Sequence, residues 1–400
     1  MTTLHRITAV RPSRSATTRR ATLLATVAAT LAACSGSTTS SSTTSTSTLP
    51  PLPPNVIAYV ALAGSGGNVG DGSTLVEVTL APSPTSVGSP IKVGTYPDAV
   101  AVTPDGTLAL VANYTSNSVT PISLPAGRVL PAVDAGSGPA GIAVSPNGST
   151  AYVTDANANT VTPIDLATMK PGKPIAVGPG PQGIAITPDG SKAYVADAGA
   201  IISGQSGTIG HQVTPIDLSK GRALAPIAVG NAPVGVAVTP DGSTVFVTNL
   251  NSESVTPINI ASETAAAPIA TDGGPVAVVV AYNAAWVVNT PASGRPGNNL
   301  QPIALTTDIA GRAIRLPRGA QNVAVEPGGR TAWVVCLNSD SLVPVNLPRR
   351  IAGRAIVVRG GPFAIAIANQ AKAGPTTGTP TSSVAAKKKV TKKRVTTTTS

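Results

Sequence analysis

A unit of about forty residues recurs along this 400-residue chain, and that repeat leaves few folds open. One copy runs from Pro139 to Gly178. Its four short apolar runs, Gly141–Val144, Ala151–Thr154, Val161–Leu166 and Pro174–Val177, are separated by turn residues. Each run is too short for a helix and rich in Val and Ile, so each reads as a strand. Between the first two, Ser145-Pro146-Asn147-Gly148 is turn chemistry: proline presets φ and glycine accepts the left-handed position. The unit is a four-stranded antiparallel meander. Its start recurs at Pro97, Pro139, Pro181, Pro233, Pro275, Ala320 and Pro362, at intervals of 42, 42, 52, 42, 45 and 42 residues. A period in the low forties with four strands per unit is the signature of a β-propeller blade.

The chain ends complete the count. Before Pro97 lie only three strands, Ile57–Leu62, Leu75–Leu80 and Pro90–Val93, which match the second, third and fourth runs. After Gly361 lies one orphan, Phe363–Ile367, which matches the first. The expectation is an all-β, seven-bladed propeller over residues 55–370. The C-terminal strand (363–367) joins the N-terminal blade (57–93), and closure removes the exposed sheet edges. The inner strands read G-I-A-V, G-I-A-I, G-V-A-V and A-I-A-I, so each sheet offers a small face and a bulky face that can interdigitate near the axis.

Tyr152-Val153-Thr154-Asp155, Phe246-Val247-Thr248-Asn249 and the Thr-Pro-Asp-Gly turns at Thr187–Gly190 and Thr239–Gly242 resemble the YVTN-type β-propeller repeat. The resemblance spans nearly all of residues 55–370 and implies a surface-layer-like extracytoplasmic protein. It implies no particular activity, because fold does not fix function. Leu62 and Cys336 depart from the pattern, standing where the other blades carry Asn or Asp.

The flanks are of another kind. Residues 1–33 read as a signal peptide: Arg6, Arg11, Arg14, Arg19 and Arg20 precede the apolar stretch Ala21–Ala33, which is too short to span a bilayer. Leu31-Ala32-Ala33-Cys34 matches a bacterial lipobox, which makes Cys34 the lipidated mature N-terminus; ordinary cleavage beside an incidental cysteine is the alternative. Arg19-Arg20 would suit twin-arginine export, except that Thr22 stands where a bulky apolar residue is expected. Residues 34–54, almost all Ser, Thr and Pro, read as a solvated tether, and residues 371–400 as a disordered Thr/Lys-rich tail. The expected location is the outer face of the cell membrane, held by lipid on Cys34.

Charge separates along the same lines. The chain has 28 basic and 17 acidic side chains, a net +11. The leader holds five arginines and no acid, and residues 371–400 hold seven basic side chains and no acid, which leaves the propeller near −1. The tail cluster Lys387, Lys388, Lys389, Lys392, Lys393 and Arg394 could hold an anionic wall polymer, lipid headgroups or nucleic acid, or merely solubilise.

Little catalytic chemistry is legible. His211 is the sole histidine beyond the leader and falls in the long loop Ala198–Gln212, where a solvated side chain is the simpler reading. Asp155-Ala-Asn157-Ala-Asn159 resembles the start of a calcium loop but lacks its glycine and distal glutamate, so Asx side chains tying down the turn are expected instead. No metal and no cofactor are expected. Three connections on one face are enlarged, Ala63–Ser73, Ala198–Gln212 and Thr290–Asn299, and loops held by a rigid scaffold carry function. Around the channel mouth on that face stand Asp98, Gln182, His211, Arg318, Gln321, Asn322 and Arg359, the candidate binding residues. The loops are Gly-rich and aromatic-poor, which argues against a stacking platform. The expected function is a monomeric, non-enzymatic scaffold binding a protein or a cell-wall glycan; the alternatives are a lactonase-like hydrolase and a polyanion binder acting through the tail.

Overall fold

The computed structural model describes residues 56–64, 72–81, 85–199, 208–295 and 297–369. The expected leader, Cys34, tether and basic tail lie outside the described residues, as do parts of the first two enlarged loops. Seven antiparallel sheets follow one another, one per repeat. Blade 3, for example, runs Pro139–Val144, Thr150–Asp155 and Thr160–Asp165 from the axis outward.

The ring closes as the strand count requires. Pro362–Asn369 pairs antiparallel with Val56–Leu62, with Val60 opposite Ile365 and Ala58 opposite Ile367, and becomes the inner strand of blade 1. The turns also form as expected. In the Thr-Pro-Asp-Gly turn the Thr187 hydroxyl donates to Asp189, Asp189 accepts the Ser191 N–H, and Gly190 sits at φ +71°.

The outer strand differs from expectation. It is not one run but two two-residue pieces, Lys170–Pro171 and Ile175–Ala176 in blade 3. The break lies at a bulge against the third strand: Gly172 N–H reaches the Pro163 carbonyl at 2.7 Å, and in blade 1, which has no proline there, Gly88 N–H reaches the Glu77 carbonyl in the same way. The proline, with no N–H to offer outward, therefore fits the bulge rather than causing it. Pro121, Pro215, Pro257, Pro302 and Pro344 take the same role in their blades. A broken, proline-bearing outer edge also resists edge-to-edge pairing.

The core lies between blades, in seven separate apolar clusters. One second-strand side chain anchors each: Tyr59, Leu110, Tyr152, Tyr194, Phe246, Trp286 and Trp333. Except in blade 1, where Tyr59 faces Glu77, each stands opposite the third-strand proline, as Phe246 does Pro257 and Trp286 Pro302. A single large residue per interface is how a chain so poor in aromatics fills its core.

Near the axis, the expected interlocking of bulky and small faces is modified. The small residues make room for main chain rather than for side chains. A Cβ on Gly141 would lie 2.2 Å from the Gln182 carbonyl oxygen, and one on Gly183 would lie 2.3 Å from that of Val234.

Candidate functional site

Each inner strand starts on the enlarged-loop face, and the residues just after its leading proline, replaced by Ala320 in the seventh blade, ring the mouth of the central channel. Asp98, Ala140, Gln182, Val234, Val276, Gln321 and Phe363 occupy equivalent positions there. Deeper in, the wall is Val and Ile, with Val100, Ile142, Ile184 and Val236 among the lining residues. The cavity measures about 740 Å³, in the range of small-molecule sites. Its polar groups sit at the mouth, and its lining includes no Lys, Arg or His.

Asp98 is the only acid in that lining. It is half-buried, and burial pushes its carboxyl up to about 7. Beside it, Tyr96 turns into the mouth from a left-handed position, φ 54°. Burial, with the Asp98 charge adding to it, pushes the Tyr96 phenol up to about 12. Tyr96 packs edge-on to Tyr114, ring centroids 5.8 Å apart, and lies 6.0 Å from Phe363. Tyr114 in turn donates from its hydroxyl to Asn157 Oδ1 of the next blade at 3.0 Å.

The mouth is held rigid from behind by Asx residues ending the second strands. Asp155 accepts from the Thr160 and Thr162 hydroxyls at 2.8 and 2.6 Å. Asp197 accepts from Thr214 at 2.6 Å and from Gln212 at 3.3 Å. Asn113 and Asn249 make the mirror arrangement, donating to Thr120 and Thr256 at 2.9 and 2.8 Å. The turn that follows adds a further tie: Asn159, at φ 57°, accepts the Gly180 N–H from the following loop at 2.9 Å. The Asx side chains of the calcium-like segment therefore hold turns, as expected. Among the described residues no three His, Cys, Asp or Glu side chains form a metal-binding group.

Asp155 and Asp197 are wholly buried, and desolvation raises both carboxyls, that of Asp197 to about 7, against hydrogen bonds that lower them. Gly136 lies against Asp155, Gly178 against Asp197 and Gly230 against Asn249, each so close that a Cβ would clash. The blade with Cys336 instead follows Pro317, which has no N–H to present.

Of the candidate residues, Asp98, Gln182, Gln321 and Asn322 come together in the channel lining. His211, Arg318 and Arg359 are outside it. His211 does not sit in a loop: the hairpin of blade 4 extends through Lys192–Gly199 and Ile209–Asp217, with Gly199 opposite Ile209. Main-chain pairing continues past the expected boundary, with Gln212 opposite Asp197 and Ile209 opposite Gly199. Sequence reasoning missed Tyr96, Tyr114 and Phe363, which lie on separate segments and meet only on folding. The available signal was their offset: they are aromatics outside the second-strand position that fills the blade interfaces.

A family model described as YNCE-like beta-propeller matches residues 68–192, less than half of the chain. No curated protein matches it. Similar solved structures include the Kuenenia stuttgartiensis hydrazine synthase, 20% identical with TM-score 0.57, covering 67% of this chain and 88% of that one. A functionally unknown protein from Desulfotomaculum acetoxidans is 15% identical with TM-score 0.63, covering 78% and 98%. A putative 6-phosphogluconolactonase from Bacteroides fragilis is 13% identical with TM-score 0.64, covering 79% and 98%. At these identities the likeness is one of fold. The family model agrees on a β-propeller, and the seven sheets set the count: the chain is a seven-bladed β-propeller.

Proposed function

We propose that this propeller is a monomeric binding scaffold whose ligand seats at the channel mouth on the enlarged-loop face, held outside the cell membrane by lipid on Cys34. The observation that carries the reading is the convergence of Asp98, Gln182 and Gln321 over a cavity of about 740 Å³. These groups bind and orient; they do not form a nucleophile–base pair. The lipobox and the Ser/Thr tether supply the reason for an extracytoplasmic address. A thermal-shift screen of the full chain against glycans, wall polymers, lactones, divalent metals and oligonucleotides tests it. Stabilisation by one class, lost in Asp98→Asn with Gln321→Ala, is the expected result. Stabilisation that survives both substitutions overturns it.

A lactonase-like activity is the second reading, favoured by the name of the Bacteroides fragilis structure. Against it, the lining offers no cation to hold a phosphate and no histidine base. Lactone turnover that disappears in Asp98→Asn would replace the scaffold reading. The third reading, polyanion binding through Lys387–Arg394, fails if a chain ending at Gln370 keeps its wall or nucleic-acid affinity.

A further inference from the structure

We infer that the channel mouth takes an organic ammonium ion with an apolar body, its cationic head seated between the Asp98 carboxylate and the Tyr96 and Phe363 rings. The inference rests on the channel mouth being the ligand site and names the chemistry that site selects.

Three observations converge on it. The first is charge. Asp98 stands in the channel wall with no hydrogen bond or ion pair among the described residues, and no Lys, Arg or His shares the lining with it. A half-buried carboxylate without a partner is costly, and a ligand cation offsets that cost where an anion would add to it. A single carboxylate also makes a poor divalent-metal site, which needs several oxygen ligands.

The second is the placement of the aromatics. The chain has two Trp, six Tyr and two Phe. Six of the ten, Tyr59, Tyr152, Tyr194, Phe246, Trp286 and Trp333, serve the blade interfaces, and Tyr282 lies at the surface beneath Arg330. The remaining three gather beside Asp98, with Tyr96 and Phe363 both lining the channel and 6.0 Å apart. Ring faces attract a cation over about 6 Å, and an ammonium group uses ring and carboxylate together.

The third is the wall below. Val100, Ile142, Ile184 and Val236 offer only apolar contact to whatever follows the cationic head, while Gln182 and Gln321 at the rim can accept from N–H donors. The site thus rewards one positive end and an apolar remainder.

Titration calorimetry on the full chain at pH 8, where Asp98 is mostly ionised and the amine is still protonated, tests this with three probes of matched size: 2-phenylethylamine, 2-phenylethanol and phenylacetate. The amine should bind at least about 10-fold more tightly than the alcohol, and the anion least of all. Asp98→Asn should erase the amine's advantage over the alcohol, with an unaltered melting curve reporting the fold. Phe363→Leu should weaken the amine by about 3- to 10-fold. An amine that binds no better than the alcohol, or keeps its advantage in Asp98→Asn, overturns the inference. If the alcohol or the anion binds instead and Gln321→Trp blocks it, the channel-mouth reading stands while the ammonium inference falls. If none of the three binds, and the ligand class found by thermal shift is indifferent to Gln321→Trp, both fall.

Discussion

The Thr154 hydroxyl of blade 3 donates to the main-chain carbonyl of Gln182, the first channel-lining residue of blade 4, at 2.6 Å. The same oxygen accepts the Gly141 N–H at 2.7 Å, so one buried hydroxyl joins two neighbouring inner strands where they crowd the axis. It ties the packing of the ring to the geometry of its mouth.

Removing this link should be felt by the whole domain. Thr154→Val leaves a buried carbonyl and a buried N–H short of a partner, a loss of about 1–3 kcal/mol. Gly183→Ala puts a Cβ against the Val234 carbonyl oxygen and should cost about 1–3 kcal/mol by overpacking. Gly221→Ser, where nothing lies within 4 Å of the new Cβ, is the comparison on the open surface. Urea denaturation measures all three. A Gly183→Ala protein as stable as the parent would contradict the close approach.

Phe246, 1% exposed, is the bulky anchor of the blade 5–6 interface. Phe246→Ala should cost about 3–5 kcal/mol. Because each interface has its own core, hydrogen exchange should speed most in blades 5 and 6. Uniform acceleration around the ring would argue against separate inter-blade cores.

How much of this is legible in the sequence depends on the range of the interaction. The turns, the blade count and the closing strand are written in local patterns, such as Thr187–Gly190 and the three strands before Pro97. The tie made by Asp155 is legible in kind from Asp155-Ala-Asn157, because it acts within one hairpin, whereas Asn157 is met by Tyr114 of the neighbouring blade. The broken outer strand is not, since it depends on a bulge against the third strand that forms at Glu77 as well as at the prolines. The mouth is half legible. Asp98 and Gln321 follow from their place at the start of inner strands, but Tyr96 and Phe363 are separated by nearly the whole ring and meet only through its closure. Arg318, Arg359 and His211 fall outside the lining because sequence position near a mouth does not say which way a side chain leaves it.

Asp197 should make the fold pH-sensitive. Its carboxyl is raised from 3.8 to about 7 by burial, so the native state holds a proton that the unfolded chain releases. Stability contributed by that group is greatest below about pH 4 and falls as pH rises toward 7. Asn fills the same position as Asn113 and Asn249, donating to the third strand. Asp197→Asn should therefore stabilise the protein by about 2 kcal/mol at pH 8, with the gain shrinking toward pH 4. Thermal melts across that range check it. A gain independent of pH would contradict the buried protonated carboxyl.

Closure makes its own prediction. A chain ending at Arg359 loses the inner strand of blade 1 and leaves Val56–Leu62 as an open edge, which should give aggregated or molten protein. Ile365→Asp places a charge in the core shared by blades 7 and 1 and should have a similar, lesser effect. A soluble truncation that melts cooperatively would sink the closure scheme.

The most direct test of the ligand site is amide hydrogen exchange of the full chain with and without saturating 2-phenylethylamine. Slowed exchange confined to peptides covering the inner strands at the channel, 96–100, 181–184, 320–323 and 362–365 foremost, is the expected pattern. Protection confined to the exposed hairpin around His211, or to the outer strands, would place the ligand elsewhere and contradict the account.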